Sequence, residues 1–423
     1  MGYFLFQNFI PKGRLPMDYD HVFPDTNILM HHAQELYALH NKIYICGIVL
    51  EELDRLKESS DAEKAYLART ATRTIQENEN KTEFLLCENN FGLECDLDLS
   101  RNDNRIINLL HNLQQQDNAI CGVSNDLLFR LKCRLLKINC IEFKPQKDIL
   151  YTGYKIIDLT DEELALWYAS EIKTNKWNLK INEYGLLRNN DTVVDKIKRT
   201  KIGIETVKFK TIQTAFSNTK IKPRNIQQEL AFDMLQDPNT HYKCLTGCVG
   251  SGKDFLMINT ALQLIEEHKY DKIVWVVQNF GVKDTKDIGA LPGGLNEKLM
   301  PFTNILSDKL GGQSGLNMFI ANRQIEIVPL AYMRGRNFDR SILMLSEAEN
   351  VTKEHMQLLM SRVGEKSMLM VNGDFKQTDS NIFKANSGLK VFIEKLQGHE
   401  EFGYVMFEKT ERSKLAEMAG LLD

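Results

Sequence analysis

Apolar residues recur along the chain in short continuous runs set between amphipathic stretches. Near the start, HVFP runs into the helical pattern TNILMHH, with Asp25 at the junction. Residues 43–50 form a near-continuous apolar run read as a strand and followed at once by a polar helix. RIINLLHNLQQ reads as a further helix and NAICGVSND as a further strand. Apolar strands with helices between them predict a parallel sheet. The C-terminal block repeats the alternation: YKCLTG, DKIVWVVQN, IEIVPLAYM, SILMLSE and MLMVNGD are strand-like and separated by helical stretches. The two blocks do not resemble each other, which predicts two different α/β domains and not an internal repeat. Between them, residues 193–210 alternate charged with β-forming residues, as short half-buried strands do. The expected organisation is α/β: a parallel-sheet domain over 1–150, a small β-rich basic connector over 151–222 and a second α/β domain over 223–423.

Composition narrows the classes. The 423 residues suggest two or three domains. With 43% hydrophobic and 26% charged residues, the chain is globular and neither disordered nor collagen-like. No apolar run approaches ~18 residues, so no transmembrane helix is expected. The apolar N-terminal run has no basic residue before it and is too weak for a secretory signal. Phe6 spoils a myristoylation match. Eight cysteines without a CxxC pair predict a reduced, cytoplasmic chain with neither a disulfide framework nor a zinc site. The net charge of −4 hides a basic middle: residues 180–222 hold ten basic and four acidic side chains. Lys196, Lys198, Arg199 and Lys201 form its densest patch, either a solvated hairpin or a surface for a phosphate backbone.

Four acidic residues of the first block fall at or just after strand ends: Asp25, Glu52, Asp103 and Asp126. In a parallel α/β sheet those ends form the binding crevice. Carboxylates converging there repel one another and need a divalent cation, Mg²⁺ or Mn²⁺, which can activate water and stabilise a phosphoryl transition state. Taken singly, Asp25 and Asp126 also read as helix N-caps. As a set, PDTNILMHH, GIVLEELDRLK, NDNRII and VSNDLLFRLK resemble the four acidic motifs of the PIN-domain nucleases over about residues 18–145. The resemblance implies that Asp25, Glu52, Asp103 and Asp126 are catalytic metal ligands, with Glu51 as second choice to Glu52. It implies that Asn27 and Asn125 orient carboxylates or substrate, and that single-stranded RNA is cleaved by metal-activated water.

In the second block, Gly247, Cys248, Val249, Gly250, Ser251, Gly252 and Lys253 match the first seven positions of GxxxxGK[ST] between a strand and a helix. The glycines let backbone N–H groups wrap a phosphate, the helix N-terminus adds its dipole, and Lys253 would reach the β- and γ-phosphates. The eighth position is Asp254, where a hydroxyl should ligate Mg²⁺. After SILML comes Ser346-Glu347, where Asp-Glu is usual. Hydroxyl and carboxylate have exchanged places, and these two elements normally meet at one magnesium. Glu347 is retained to polarise water. Residues 223–423 resemble the PhoH family of P-loop ATPases, with a RecA-like core, through KPRNIQQELAFDML, DIGALPGGLNEKLMPF, YMRGRNFDRS, SRVGE, NGDFKQTD and ERS. The resemblance implies ATP as ligand, Gln228 on the adenine side, and Asp374 and Gln377 as γ-phosphate sensors. Arg334, Arg336, Arg362 and Arg412 are candidate phosphate or finger arginines, Arg412 foremost. Departures cluster at the nucleotide: Asp254, Gln278, Asn279, Ser346 and Glu349.

Both halves together resemble the PIN–PhoH fusions. That implies an ATP-dependent RNA-unwinding ribonuclease of a bacterium or phage, and a homo-hexameric ring, since one RecA-like core needs a neighbour to supply the second wall. Two rivals stay open: a nuclease on a nucleotide-gated scaffold with little ATPase activity, and a toxin acting through the PIN domain, with an antitoxin as partner.

Overall fold

A computed structural model of the chain describes residues 19–86, 97–117, 119–143, 151–170, 173–215, 217, 219–278, 303–378, 383 and 386–411. It divides into two compact units, Met1–Ile149 and Leu150–Asp423. Asn279 and Arg412 lie outside the described residues.

The first unit alternates strand and helix: β1 His21–Pro24, α1 Thr26–Leu39, β2 Lys42–Cys46, α2 Gly47–Lys57, α3 Ala62–Glu77, β3 Thr82–Leu85, α4 Asn102–Gln116, β4 Ile120–Val123, α5 Leu127–Leu135 and β5 Cys140–Ile141. The sheet is parallel with order β3-β2-β1-β4-β5. Its order reverses between β1 and β4, so the crevice of a doubly wound sheet opens at Pro24 and Val123. The core is an aliphatic layer including Ile43, Ile45, Leu53, Ile107 and Leu110.

The apolar run 43–50 is not one strand. β2 stops at Cys46, and Gly47 begins α2, which buries Ile48, Val49 and Leu53 on one face. Glu52 therefore stands inside a helix and not at a strand end. Asp103 likewise sits in the first turn of α4.

The second unit holds two sheets. β6 Tyr154–Asp158, α6 Asp161–Ala169, β7 Tyr184–Asn189, β8 Thr192–Arg199 and β9 Ile204–Thr206 supply a four-stranded sheet of order β6-β7-β8-β9. β7 and β8 pair as a hairpin, turned by Asn190 and Asp191, both at positive φ as a two-residue turn demands. Ile157, Trp167, Leu187 and Ile197 give this sheet a small core of its own. Its other side chains, Tyr154, Tyr184 and Leu186, enter the core of the larger sheet. The connector thus folds as a separate sheet but belongs to the same compact unit as the C-terminal block.

That larger sheet follows from α7 Ile226–Gln236, β10 Tyr242–Gly247, α8 Lys253–Glu266, β11 Lys272–Val277, α9 Asn304–Lys309, α10 Gln313–Ala321, β12 Ile325–Pro329, β13 Ser341–Leu345, α11 Lys353–Met360, β14 Met368–Gly373, α12 Gly388–Leu396 and β15 Phe402–Phe407. Its six described strands are all parallel, in the order β12-β11-β13-β14-β10-β15. β14 lies between β10 and β13, which places its C-terminal end between the glycine loop and the turn after β13.

Candidate functional site

The crevice of the first unit is built around Asp25. It follows β1 directly, and its carboxylate caps α1 by accepting from Ile28 N at 2.8 Å. Its backbone N–H donates to Val123 O of the neighbouring strand at 3.0 Å. Ser124 Oγ donates to the same carboxylate. Asp126, the N-cap of α5, accepts from Phe129 N at 3.0 Å and sits three residues past β4. Burial pushes the Asp25 pKa up to about 6, against the Ser124 and Ile28 hydrogen bonds, and the negative charges of Asp126 and Asp103 add to the rise. Asp126 and Asp103 are therefore each within electrostatic reach of Asp25. Glu52 joins by hydrogen bonds: it accepts from Thr26 Oγ1 at 2.5 Å and from Asn102 Nδ2 at 2.8 Å. Glu51 is exposed on the same helix.

The four acids do not form a closed coordination shell. Among the described residues no group of three or more His, Cys, Asp or Glu is gathered tightly enough to hold a metal. What the crevice offers is a set of carboxylate oxygens, mutually repelling and partly exposed. That donor set fits a hard divalent cation and not a soft one. The sequence reading missed Ser124, Thr26 and Asn102, the side chains that orient the carboxylates. Asn125 does other work: its Oδ1 accepts from Phe143 N at 2.9 Å and so anchors the chain after β5.

In the second unit the glycine loop closes between β10 and α8. Gly247 has φ +126°, and a Cβ there would stand 1.9 Å from Phe407 O of β15, so only glycine fits. Gly252 has φ +93° as the N-cap of α8. Lys253 Nζ donates to Gly247 O at 2.7 Å and Cys248 O at 3.0 Å, folded over its own loop. Burial lowers its pKa, opposed by the charges of Asp374 and Asp254. Ser251 is buried and donates to Cys248 O at 2.8 Å, while Val249 is exposed at the loop tip. Gln228 braces the loop, donating through Nε2 to Ser251 O at 3.0 Å and accepting Arg224 N at 2.9 Å.

The exchanged residues meet. Ser346 Oγ donates to Asp254 Oδ1 at 2.6 Å, and Asn372 Nδ2, from β14, donates to the same oxygen at 2.7 Å. One carboxylate and one hydroxyl, both oxygen donors, thus stand together at the start of the loop helix, as Mg²⁺ would require. Gln278 Nε2 holds the turn after β13 through Ser346 O at 3.0 Å and Glu347 O at 2.8 Å. Glu347 sits in the left-handed region, φ +57°, exposed beside the site. Asp374 is buried with its side chain on Lys376 N, and Gln377 is exposed three residues beyond it. Glu349 is almost fully buried and accepts Asp374 N at 2.8 Å. Burial pushes its pKa up to about 7, with the nearby charges of Glu347 and Asp374 adding.

The candidate arginines separate. Arg336 is a structural cation, bound to Glu326 at 2.5 Å and stacked over Phe338. Arg362 Nη1 donates to Arg336 O at 3.2 Å. Arg334 is exposed. The connector patch is also largely spoken for. Lys198 is buried and paired with Asp237 at 2.5 Å and Asp233 at 3.1 Å, Lys196 pairs with Glu229 and Lys201 with Glu400. The four residues are therefore not one free phosphate-binding surface. Lys198 ties β8 to α7, because α7 turns Asp233 and Asp237 toward the same ammonium.

Comparison with known proteins finds a family match for each half of the chain. Residues 22–144 match the PIN domain family, and residues 220–420 match the family described as PhoH-like protein. Protein PhoH2 of Bacillus subtilis is 26% identical over 439 aligned residues, covering 93% of this chain and 98% of that one. Protein PhoH2 of Mycolicibacterium smegmatis is 25% identical over 326 residues, 74% of this chain and 72% of its own length. Protein PhoH of Escherichia coli is 34% identical over 169 residues, 39% of this chain and 47% of that protein. The chain is therefore a two-part protein with a nuclease-type domain and a P-loop, ATPase-like domain. More particularly, it joins a PIN domain to a PhoH domain and is similar over nearly its whole length to protein PhoH2 of Bacillus subtilis.

Proposed function

We propose that the chain is a metal-dependent endoribonuclease coupled to an RNA-directed ATPase that presents or unwinds the strand to be cut. The observation that carries this is the coupling of Asp25 to Asp126 and Asp103 at the switch point of the first sheet. Repelling carboxylates at a crevice are a seat for a cation. Asp25, Glu52, Asp103 and Asp126 would hold Mg²⁺ or Mn²⁺, which when bound supplies a nucleophilic hydroxide and shields phosphoryl charge. Ser124, Thr26 and Asn102 hold Asp25 and Glu52 in place.

In the second unit the loop 247–253 would wrap the phosphates of ATP, and Lys253 would leave its two carbonyls for them. Asp254 and Ser346 would hold the magnesium, Glu347 would take a proton from the attacking water, and Asp374 would face the γ-phosphate. A single RecA-like sheet cannot advance a strand against itself. A homo-hexameric ring, with Arg412 reaching the neighbour's nucleotide, supplies the opposing wall.

The scaffold reading keeps one observation in its favour: Lys253 Nζ is bound to two carbonyls of its own loop, and one oxygen of Asp254 is held by Ser346 and Asn372. One experiment separates the readings. Purified chain is incubated with structured and with single-stranded RNA, with Mg²⁺ or Mn²⁺, with and without ATP, and both phosphate release and RNA cleavage are followed. The coupled reading predicts RNA-stimulated phosphate release and better cleavage of structured RNA when ATP is present. Cleavage indifferent to ATP, with background phosphate release, would leave only a nuclease on a scaffold. No cleavage of either RNA with either metal would refute the nuclease.

A further inference from the structure

Resting on the nucleotide-binding reading, we infer that Asp254, Ser346 and Asn372 form a cation seat that makes nucleotide binding conditional on a divalent metal, with Asn372 as its positioning residue. Topology places Asn372 for this. β14 runs between β10, which leads into the loop, and β13, which leads to Ser346. Near the C-terminal end of β14, buried at 2% exposure, Asn372 reaches both sides. Its Nδ2 donates to Asp254 Oδ1 at 2.7 Å, and its Oδ1 faces Ser346 Oγ at 3.3 Å and Glu347 N at 3.4 Å. A carboxylamide donates and accepts at once, which a carboxylate or an alkyl group in that place cannot do.

Two donors on one oxygen, Ser346 and Asn372, fix the orientation of the Asp254 carboxylate. Its second oxygen, Oδ2, has no hydrogen bond to the described residues. Asp254 therefore puts a carboxylate in the first turn of α8, where phosphates would dock on the loop. The hydroxyl usual at this position brings no charge. Around the loop stand Asp254, Asp374 and the exposed Glu347, against Lys253, which already serves two carbonyls, and the exposed Lys376, whose charge reaches Cys248. Without a cation between them, Asp254 repels a nucleotide polyphosphate. With the cation, the same charge becomes an extra anchor for the metal–nucleotide complex. The exchange of residues thus converts the metal from an aid to hydrolysis into a condition for binding.

The test is equilibrium binding of ATP to the full chain by calorimetry, in Mg²⁺ and in excess EDTA. Wild type is compared with Asp254→Thr, Asn372→Leu and the milder Asn372→Thr. Wild type is expected to lose on the order of 100-fold in affinity on chelation, the repulsion of one unit charge at close range. Asp254→Thr should lose at most ~10-fold and should bind metal-free ATP more tightly than wild type does. Asn372→Leu should raise the Mg²⁺ concentration for half-maximal binding by roughly 10-fold, with Asn372→Thr in between. Equal losses on chelation in wild type and Asp254→Thr would overturn the inference and leave the nucleotide site standing. Absence of ATP binding to wild type even in Mg²⁺ would instead remove the nucleotide reading and this inference with it.

Discussion

Replacing Glu349 by Gln should remove a pH-dependent weakness from the second unit. The Glu349 carboxyl is 2% exposed, and one oxygen accepts Asp374 N. Burial raises its pKa from the model-peptide value of 4.5 to about 7 in the folded chain. An acid whose folded pKa is raised binds more protons folded than unfolded between those two values, so stability is lost as pH rises through that window. Below about 4.5 both states are protonated and nothing is lost; above about 7 the loss is complete. A gap of this size amounts to roughly 3 kcal/mol, most of it appearing between pH 5 and 8. Gln keeps the accepting oxygen and cannot titrate, so other groups cancel in the comparison. All three tryptophans, Trp167, Trp177 and Trp275, lie in the second unit, so urea unfolding followed by their fluorescence reports on it alone. From pH 5 to pH 8 wild type should lose roughly 2–3 kcal/mol relative to Glu349→Gln. A constant difference across that range would refute the reasoning, because Glu349 would then ionise as an ordinary carboxylate.

Gly247→Ala should destabilise the glycine loop by several kcal/mol and abolish ATP binding, since the added Cβ meets Phe407 O at a φ that alanine rarely adopts; the fluorescence melting curve and an ATP titration check this. Lys198→Met should cost ~3–5 kcal/mol by stranding Asp233 and Asp237, and it should do so with RNA affinity unchanged where the connector is only a brace. Ser124→Ala removes the hydrogen bond that lowers the Asp25 pKa, so the acid limb of the pH profile of RNA cleavage should move to higher pH. Asp254→Thr combined with Ser346→Asp restores the usual order of hydroxyl and carboxylate and should recover steady-state ATP hydrolysis, whereas Ser346→Asp alone crowds two carboxylates and should not.

Much of the architecture was readable because apolar strands and glycine loops have local signatures. HVFP, NAICGV, YKCLTG and MLMVNG each give one buried parallel strand in the structure. The run 43–50 misled because GIVL is as apolar as a strand, and only its burial pattern on α2 marks the helix. The placement of Asp25 and Asp126 just after strand ends was readable for the same reason. The residues that hold them were not. Ser124, Asn102 and Asn372 act through partners 99, 50 and 118 positions away in sequence, and nothing local distinguishes such a side chain from a surface one. The basic patch differs in another way. Charge counted along 196–201 is real, but α7 brings Glu229, Asp233 and Asp237 to meet it, a neutralisation that exists only once the chain folds.

The central claim is that one chain carries two separable chemistries, a metal-dependent cut of RNA and a nucleotide-driven step. Its most direct test is a paired assay of RNA cleavage and ATP hydrolysis on wild type, Asp25→Asn and Lys253→Ala, each purified free of contaminating ribonuclease. The account predicts that Asp25→Asn loses cleavage and keeps ATP hydrolysis, while Lys253→Ala loses hydrolysis and still cuts single-stranded RNA. Full cleavage by Asp25→Asn, or loss of both activities from either single substitution in a folded protein, would contradict it.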